Sequence, residues 1–229
     1  MKDGNIHQSS DKVRPGLLVA DLVGTTIADP VESAINEALV HVGSSRVDPQ
    51  KLAPLRGGLK KRDVFAALLG DDEDKVESAY RHFDRAVLDA IESGRVSPIP
   101  HAENTLRTLA EAGVTIAFTT GLTRRQCPQI IEALGWTDLV DCVISAEDTR
   151  RGRPYPDMIF EAIVRTGTRS VRETAVVGDT TNDLWAGDNA GVAANIGVLT
   201  GAHSSDQLRA APHHTLLESV AQLPEFLRL

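Results

Sequence analysis

Two aspartates follow apolar segments at positions where carboxylates act as nucleophiles or metal ligands. Asp21 comes directly after the apolar residues 17–20, and Asp179 comes after residues 175–178. Small and hydroxyl residues follow each acid, which is typical of a turn. Two carboxylates at the ends of two strands can hold one hard cation between them, because Mg²⁺ binds oxygen ligands. The pattern therefore predicts a site in which these two acids share a metal ion.

The elements that would position the acids alternate between strands and helices. Short runs rich in β-branched residues predict strands at 17–20, 114–118, 142–144, 174–177 and 193–198. Amphipathic patterns predict helices between them at 102–112, 124–134, 156–166 and 182–190. This alternation predicts an α/β fold, a doubly wound parallel sheet with helices on both faces. Ligands of such sheets bind beyond the carboxyl ends of the strands, where Asp21, Asp179 and the pair 119–120 fall.

Residues 30–96 depart from this alternation, because only helical patterns occur there. Three apolar faces recur at helical spacing. They are Val31, Ile35, Ala38, Leu39 and Val42; Val64, Ala67 and Leu68; and Val76, Tyr80, Phe83, Val87 and Ile91. We predict an α-helical cap at residues 30–96, inserted after the first strand, and an α/β core at residues 16–29 and 97–229. Residues 1–15 are polar and are predicted to form a disordered tail.

The composition excludes several classes of protein. The 229 residues carry a formal net charge of −8, which argues against binding to nucleic acid or to an anionic membrane. No apolar segment reaches the ~18 residues of a membrane-spanning helix. The polar start lacks the apolar region of a signal peptide. Two cysteines, Cys127 and Cys142, are too few for a disulfide framework, so a cytoplasmic protein is expected.

Four short runs, in order, resemble the motifs of the haloacid dehalogenase superfamily. They are Asp-x-Val-Gly-Thr-Thr at 21–26, Thr-Thr-Gly at 119–121, Gly-Arg-Pro-Tyr-Pro at 152–156 and Gly-Asp-x-x-x-Asp at 178–183. The second and third runs, with Gly-Val-Leu-Thr-Gly-Ala-His at 197–203, are similar to the phosphonoacetaldehyde hydrolase (phosphonatase) branch. The resemblance covers residues 16–224. It implies a Rossmann-like core with a cap domain and a Mg²⁺-dependent hydrolase.

The resemblance also implies roles for the acids. Asp21 corresponds to the nucleophile that becomes an aspartyl-phosphate, and the metal ligands would be Asp21, Asp179 and the backbone carbonyl of Val23. A bound cation offsets the repulsion between a carboxylate and a phosphoryl group. Asp183 would lie in the outer shell of the metal. Its alternative role is that of an acid in the first turn of the following helix.

Three more residues correspond to phosphate-binding positions. Thr120 and the backbone of Gly121 would donate to phosphoryl oxygens, and Arg153 would stabilise the charge shared by Asp21 and the phosphoryl group. The alternative for Thr120 is a strand-end residue that caps the next helix. The alternative for Arg153 is a solvated loop arginine.

Val23 departs from most phosphatases of the superfamily, which have a second aspartate two residues after the nucleophile. That acid protonates the leaving oxygen and later activates water, and valine can do neither. Phosphonatase also lacks it. Its cap lysine instead forms a Schiff base with the substrate aldehyde, and the imine accepts the electrons of the C–P bond.

The run Gly-Gly-Leu-Lys at 57–60 resembles the phosphonatase cap loop, so Lys60 is implied as a catalytic cap residue. Arg56 is expected to contact the substrate beside it. Arg56 and Asp63 stand where phosphonatase has methionine and histidine, which favours a pocket for a more anionic substrate. The alternative is that Lys60 only holds the substrate, as basic cap residues do in many members of the superfamily.

These observations predict an enzyme that cleaves the C–P bond of phosphonoacetaldehyde or a close relative. The second hypothesis is a phosphomonoesterase for a small phosphorylated metabolite, and the third is a catalytically silent binding module. The expected partner is a small phosphonate or phosphorylated substrate, with no nucleic acid or membrane. The resemblance also allows a homodimer, which phosphonatase forms through its cap.

Two tryptophans and a group of histidines have no role in this chemistry. Trp136 and Trp185 are predicted to pack in the core or at a domain edge. His203, His213 and His214 lack cysteine partners and helical His spacing, which favours surface or helix-capping roles over a zinc site.

Overall fold

A six-stranded parallel sheet forms the centre of the molecule. The computed structural model describes residues 14–52, 55 and 59–229, so most of the predicted tail lies outside the described residues. The strand order is β3-β2-β1-β4-β5-β6, and every pair is parallel. The strands are β1 (Leu17–Asp21), β2 (Thr115–Thr120), β3 (Cys142–Ser145), β4 (Thr174–Gly178), β5 (Ala194–Val198) and β6 (Thr215–Leu217).

The sequence located the first five strands within two residues at each end but missed β6. Thr215, Leu216 and Leu217 form a three-residue edge strand that is only half-buried. Its length gives too few residues to show an alternation of side chains, so the run could not be distinguished from a loop. Its register opposite β5 is set by parallel pairing, with Ile196 facing Thr215.

Helices cover both faces of the sheet, as predicted. The helices are α1 (Val31–His41), α2 (Pro49–Leu52), α3 (Lys61–Leu69), α4 (Glu73–Glu92), α5 (Ala102–Glu111), α6 (Gln126–Ala133), α7 (Asp157–Thr166), α8 (Thr181–Ala190), α9 (Ser205–Arg209) and α10 (Leu223–Leu227). Successive residues of a strand point to opposite faces. Leu18 and Ala20 of β1 accordingly pack with α5 and α6, whereas Leu17 and Val19 pack with α7 and α8.

The segment between β1 and β2 is helical, and α4 is its central helix. Val76, Phe83, Val87 and Ile91 of α4 are buried against α1 and α3, in agreement with the predicted face. The predicted face of α3 was wrong in part, since Val64 and Phe65 are buried but Ala67 is exposed. Phe65 packs edge-on against Phe83, with ring centroids 5.8 Å apart, so an aromatic contact rather than the alanine fixes the rotation of α3.

Polar contacts attach α4 to the core next to the second motif. Asp84 accepts hydrogen bonds from the hydroxyl of Thr123 (3.2 Å) and from the side-chain amide of Gln126 (3.0 Å). The Tyr80 hydroxyl donates to Glu147 over 3.0 Å. These contacts join the helical insertion to the segments that follow β2 and β3.

The two tryptophans lie in opposite environments. Trp136 is fully buried and stacks on Phe118 of β2, with ring centroids 5.9 Å apart, as predicted. The prediction for Trp185 was wrong, because this α8 side chain is 44% exposed. Within the described ranges, no helix has the length and apolar character needed to cross a membrane.

Candidate active site

The parallel register brings the chemistry-bearing residues to one edge of the sheet. Asp21, the last residue of β1, is paired with Thr119 of β2, so Thr120 lies one residue beyond it. On the other side of β1, Ala20 is paired with Val177, and Asp179 follows the end of β4. The carboxyl ends of three adjacent strands therefore meet as the sequence predicted.

Asp21 and Arg153 form a buried ion pair. The Asp21 carboxylate is 6% exposed, and an Arg153 guanidinium nitrogen lies 2.7 Å from its Oδ1. The same guanidinium group pairs with Asp183 through its other terminal nitrogen. Arg153 is only 2% exposed, so it is a buried cation between two acids and not a solvated loop arginine. A buried charge of this kind requires a partner, and here it has two.

The pKa of Asp21 reflects this setting. Burial, which disfavours the charged carboxylate, raises the pKa of Asp21 from 3.8 to about 6. The positive charge of Arg153 opposes the rise, whereas the negative charge of Asp179 adds to it. Lys61 also lowers this pKa through its positive charge. Two buried carboxylates in electrostatic contact are a suitable place for a divalent cation.

Asp179 is fixed by hydrogen bonds from two segments distant in sequence. Its Oδ1 accepts from the Thr25 hydroxyl (3.0 Å) and its Oδ2 accepts from the backbone N–H of Ala202 (2.7 Å). A carboxylate offers about four acceptor positions, so room remains for a cation. A β-carbon added to Gly24 would lie 2.6 Å from Oδ2, and one added to Gly201 would overlap the carboxylate. Glycine at both positions lets the backbone approach Asp179 closely.

The turn after β1 is held by hydrogen bonds at both ends. The N–H of Gly24 donates to the carbonyl of Ile27 (2.8 Å), and the Thr200 hydroxyl donates to the carbonyl of Gly24 (2.7 Å). Gly24 has φ +89°, a conformation that glycine adopts without strain. Val23 begins this turn, half-buried and without an ionisable side chain.

Thr120 is buried and does not cap the next helix. Its hydroxyl oxygen accepts from the N–H of Leu122 (3.2 Å), whereas α6 begins at Gln126. A hydroxyl that accepts one hydrogen bond keeps its own proton to donate. The Ser145 hydroxyl donates to the Leu122 carbonyl (2.6 Å) and thereby fixes the loop that contains Gly121.

Asp183 is an acid at the start of a helix, which is one of the two roles considered from the sequence, and its place in the outer shell of a metal stays a prediction. It lies in the first turn of α8, where its carboxylate accepts from the N–H (3.0 Å) and the hydroxyl of Thr180 in a capping box. Its other oxygen pairs with Arg153. Thr180 was not predicted from the sequence, although Thr-x-x-Asp is a capping-box spacing and could have indicated it. Thr25, Gly201 and Ala202 were also missed, because only the folded structure brings them to Asp179.

The cap contributes two adjacent lysines at the start of α3. Lys60 is the N-terminal flanking residue of the helix and is half-buried, while Lys61 is the first helical residue and is 7% exposed. The charge of Lys61 acts on Asp21, which was not predicted. Arg56 and the glycines at 57–58 lie outside the described residues.

The histidines have structural roles. His203 is 7% exposed, and its Nδ1 accepts from the N–H of Thr181 in the first turn of α8 (3.1 Å). Nδ1 of His214 accepts from the N–H of Asn195 (2.9 Å). No group of three or more His, Cys, Asp or Glu side chains placed for a metal occurs among the described residues.

Comparison with known proteins agrees with this geometry. A family model described as haloacid dehalogenase-like hydrolase matches residues 24–196. The protein called "Probable phosphatase IndB" of Dickeya dadantii (strain 3937) is 28% identical over 212 residues, which cover 90% of this chain and 91% of that protein. A phosphonoacetaldehyde hydrolase of Parabacteroides distasonis is 28% identical over 190 residues, which cover 71% of this chain and 70% of the relative.

Solved structures share the fold. A phosphonoacetaldehyde hydrolase-like protein from Oleispira antarctica superimposes with a TM-score of 0.80 at 20% identity, covering 95% of this chain and 92% of the other. The family match spans most of the molecule and includes the ends of β2 and β4. The chain belongs to the haloacid dehalogenase-like hydrolases, and it is an enzyme of that family.

Proposed function

We propose that this chain is a Mg²⁺-dependent hydrolase that takes a phosphoryl group from a small substrate onto Asp21 and then transfers it to water. The observation that carries the proposal is the buried ion pair between Asp21 and Arg153, with Asp179 at the adjacent strand end. This arrangement supplies a carboxylate nucleophile, a fixed cation beside it and a second acid for a metal. Only a reaction that develops negative charge next to Asp21 uses all three groups.

Each residue has a distinct task in this mechanism. An Asp21 oxygen attacks phosphorus, and the bond from phosphorus to the leaving group breaks with its electron pair on the leaving group. The buried Arg153 stabilises the charge on the phosphoryl oxygens, to which Thr120 and the backbone of Gly121 donate hydrogen bonds. Water then attacks the phosphorus of the aspartyl-phosphate and restores the Asp21 carboxylate.

A divalent ion would be held by the carboxylates of Asp21 and Asp179 and by the carbonyl of Val23. Such an ion offsets the repulsion between the nucleophile and the phosphoryl oxygens and polarises those oxygens. The fit rests on two observations. The negative charge of Asp179 raises the pKa of Asp21, and Asp179 retains free acceptor capacity beyond its bonds from Thr25 and Ala202. Asp183 orients Arg153 from the opposite side.

The leaving group is best explained as carbon. Val23 leaves the turn after β1 without an acid that could protonate a departing oxygen. An aldehyde β to a phosphonate could instead condense with a cap lysine and lose water. The resulting imine accepts the electron pair of the breaking C–P bond as an enamine, which is then protonated and hydrolysed. We therefore propose phosphonoacetaldehyde or a close relative as the substrate and Lys60 as the imine-forming residue.

Lys61 gives a specific reason to test a second substrate class. Its charge reaches Asp21 and favours the ionised carboxylate, so it would suit an anionic group bound between the cap and Asp21. A small phosphomonoester with a good leaving group would use Lys61 in this way and would need no imine. The relative called "Probable phosphatase IndB", which matches across 90% of this chain, supports that second candidate.

Borohydride trapping separates the two candidates. The protein is incubated with Mg²⁺, phosphonoacetaldehyde and borohydride. If phosphonoacetaldehyde is the substrate, the enzyme should be irreversibly inactivated and a peptide that contains Lys60 should carry a mass adduct. The adduct should be absent from Lys60→Ala and should persist in Lys61→Ala. Retained activity in Lys60→Ala, together with no adduct on the wild-type protein, contradicts the imine route. If the imine route is contradicted in this way, turnover of phosphomonoesters in the presence of Mg²⁺ would support the second candidate.

Asp21→Asn tests the common part of the proposal. We expect turnover of every substrate to fall at least about 10³-fold, because the amide cannot attack phosphorus. The matched control is Asp188→Asn, an exposed acid on α8, which should leave turnover unchanged. Turnover that persists in Asp21→Asn would refute the covalent mechanism for both candidates. A wild-type protein that turns over no phosphonate or phosphomonoester would contradict both candidates.

A further inference from the structure

Exposed apolar side chains concentrate on one surface of the core. Five large apolar side chains are exposed in the part of the chain that the structure describes, and four of them belong to α7, the loop before it, or α8. They are Tyr155 (48% exposed), Phe160 (44%), Val164 (73%) and Trp185 (44%), which we call the α7–α8 surface. The fifth, Val40 (50%), lies on α1 of the cap. Apolar patches of this kind mark interaction sites.

The four side chains share one side of the molecule. Helices α7 and α8 are neighbours, and their inner faces pack into the same cluster beneath the sheet. Phe160 and Val164 are one turn apart on α7, so they form a single stripe. Asn189, one turn after Trp185, donates from its side-chain amide to the carbonyl of Pro154 (2.9 Å). This bond ties the outer face of α8 to the loop that carries Tyr155.

The charges around this surface balance, unlike those of the whole chain. Apart from the buried Arg153 and Asp183, residues 150–166 and 181–190 contain three arginines and three acidic residues, so the net charge of −8 lies elsewhere. Several of these charges pair within the surface. Arg151 makes a bidentate ion pair with Asp157 (3.1 and 2.8 Å) and lies over the Tyr155 ring. Arg165 pairs with Glu161 over 2.8 Å.

We propose that the α7–α8 surface is the interface between two copies of this chain in a two-fold symmetric dimer. In such a dimer the same patch faces itself, so a balanced patch avoids the like-charge repulsion that two acidic surfaces would produce. Aromatic residues with a paired polar rim are the composition of interface centres. The chain's own start is a poor alternative occupant, since Met1, Ile6 and Val13 are the only large apolar residues in 1–13.

The interface lies next to the active site through the loop that carries Arg153. Tyr155 is two residues from Arg153, and Asn189 holds the intervening Pro154 from α8. Covering Tyr155 with a second copy would restrict this loop and thereby hold the guanidinium group between Asp21 and Asp183. The interface of this dimer therefore lies on the core and not on the cap, and it is close to the loop that positions Arg153.

A charge placed in the patch tests the interface. Sedimentation velocity over a concentration series should give the wild-type protein a mass of twice 24.6 kDa at high concentration. Val164→Asp should weaken dimerisation at least about tenfold, because it places an unpaired carboxylate at the centre of an apolar contact. Val40→Asp is the matched control, with the same change at an exposed cap position, and should dimerise as the wild-type protein does. Circular dichroism and thermal melts of both variants show that each is folded.

The fluorescence of Trp185 shows whether the dimer interface lies on the α7–α8 surface. Trp136 is buried, so a change of tryptophan fluorescence on dilution should come from Trp185 and should disappear in Trp185→Phe. The proposal is overturned if the wild-type protein is monomeric throughout the series. It is also overturned if Val40→Asp dissociates the dimer while Val164→Asp does not, which would place the contact on the cap. A dimer that forms without any change in Trp185 emission contradicts it as well.

Discussion

The core half and the cap half of the site are built in different ways. In the core, Asp21, Arg153, Asp179 and Asp183 are almost completely buried, and each has a partner from another part of the chain. The cap half depends on the start of α3, where Lys60 is half-buried and Lys61 is buried. In the proposed mechanism, the buried core half would carry out the chemistry at phosphorus, and the start of α3 would contact the organic group of the substrate.

Removing the guanidinium group of Arg153 should produce the largest effect on the core half. In Arg153→Met, Asp21 and Asp183 would remain buried without their partner, which costs about 3–5 kcal/mol of unfolding free energy. Turnover should fall at least about 10²-fold, because the fixed positive charge beside the phosphoryl group is lost. Urea unfolding and steady-state kinetics measure the two effects. The exposed Arg150→Met is the control, and equal behaviour of the two variants would show that Arg153 is not central.

Displacing Asp179, the proposed metal ligand, should produce the next largest effect. In Gly201→Ala, the new methyl group would overlap the Asp179 carboxylate and displace it. We expect the Mg²⁺ concentration for half-maximal activity to increase about 10–100-fold, as for other changes beside metal ligands. Titration of activity with Mg²⁺ measures this. Gly16→Ala is a suitable control, since its added carbon would meet atoms of Glu173 at ordinary contact distances of 3.7–3.8 Å.

The raised pKa of Asp21 predicts an unusual dependence of stability on pH. Without a divalent ion, the folded protein keeps the Asp21 proton up to about pH 6, whereas the unfolded chain releases it near 3.8. The group therefore stabilises the fold at low pH, and this contribution is lost as the pH rises through about 6. Thermal melts in a chelator should show the loss, and excess Mg²⁺ should reduce it because a cation favours the carboxylate. Asp21→Asn should lack both effects; an unchanged profile in that variant would contradict the assignment.

Removing the hydrogen bonds that join α4 to the core should produce the smallest effect. Asp84→Ala would leave the Thr123 hydroxyl and the Gln126 amide without their acceptor on α4. We expect a loss of about 1 kcal/mol in stability and a change of KM with little change of kcat, since only the position of the cap is disturbed. The exposed Asp89→Ala on the same helix is the control. A large fall in kcat with unchanged KM would show that Asp84 acts in the chemical step.

The sequence predicted the core half better than the cap half for a physical reason. Parallel strands place their carboxyl ends at one edge, so the positions of Asp21, Thr120 and Asp179 along the chain were enough to bring them together. No such rule places the residues of a helical insertion, because packing between helices decides which side chains face the site. The roles of Lys60 and Arg56, the domain bounds and the cytoplasmic location remain predictions.

Other parts of the site and of the fold could not be predicted from the sequence. Thr25 and Ala202 contact Asp179 across long stretches of chain, and no local pattern marks them. The edge strand β6 is too short for periodicity, and Ala67 fitted a helical repeat although Phe65 occupies the buried position. Trp185 shows the reverse case, because its apolar character predicted packing in the core or at a domain edge, whereas its side chain is 44% exposed.

The hydrogen bonds around Asp179 determine when the active site can exist during synthesis. Thr25 and Asp179 are separated by 154 residues, and Thr200 and Gly24 by 176. In a nascent chain whose β5 is still inside the ribosome, Asp21 has been made. The Ala202 N–H that donates to Asp179 and the Thr200 hydroxyl that donates to Gly24 are still missing. Such a chain cannot yet form the hydrogen bonds that fix Asp179, so this part of the site forms only after residue 202 has been translated.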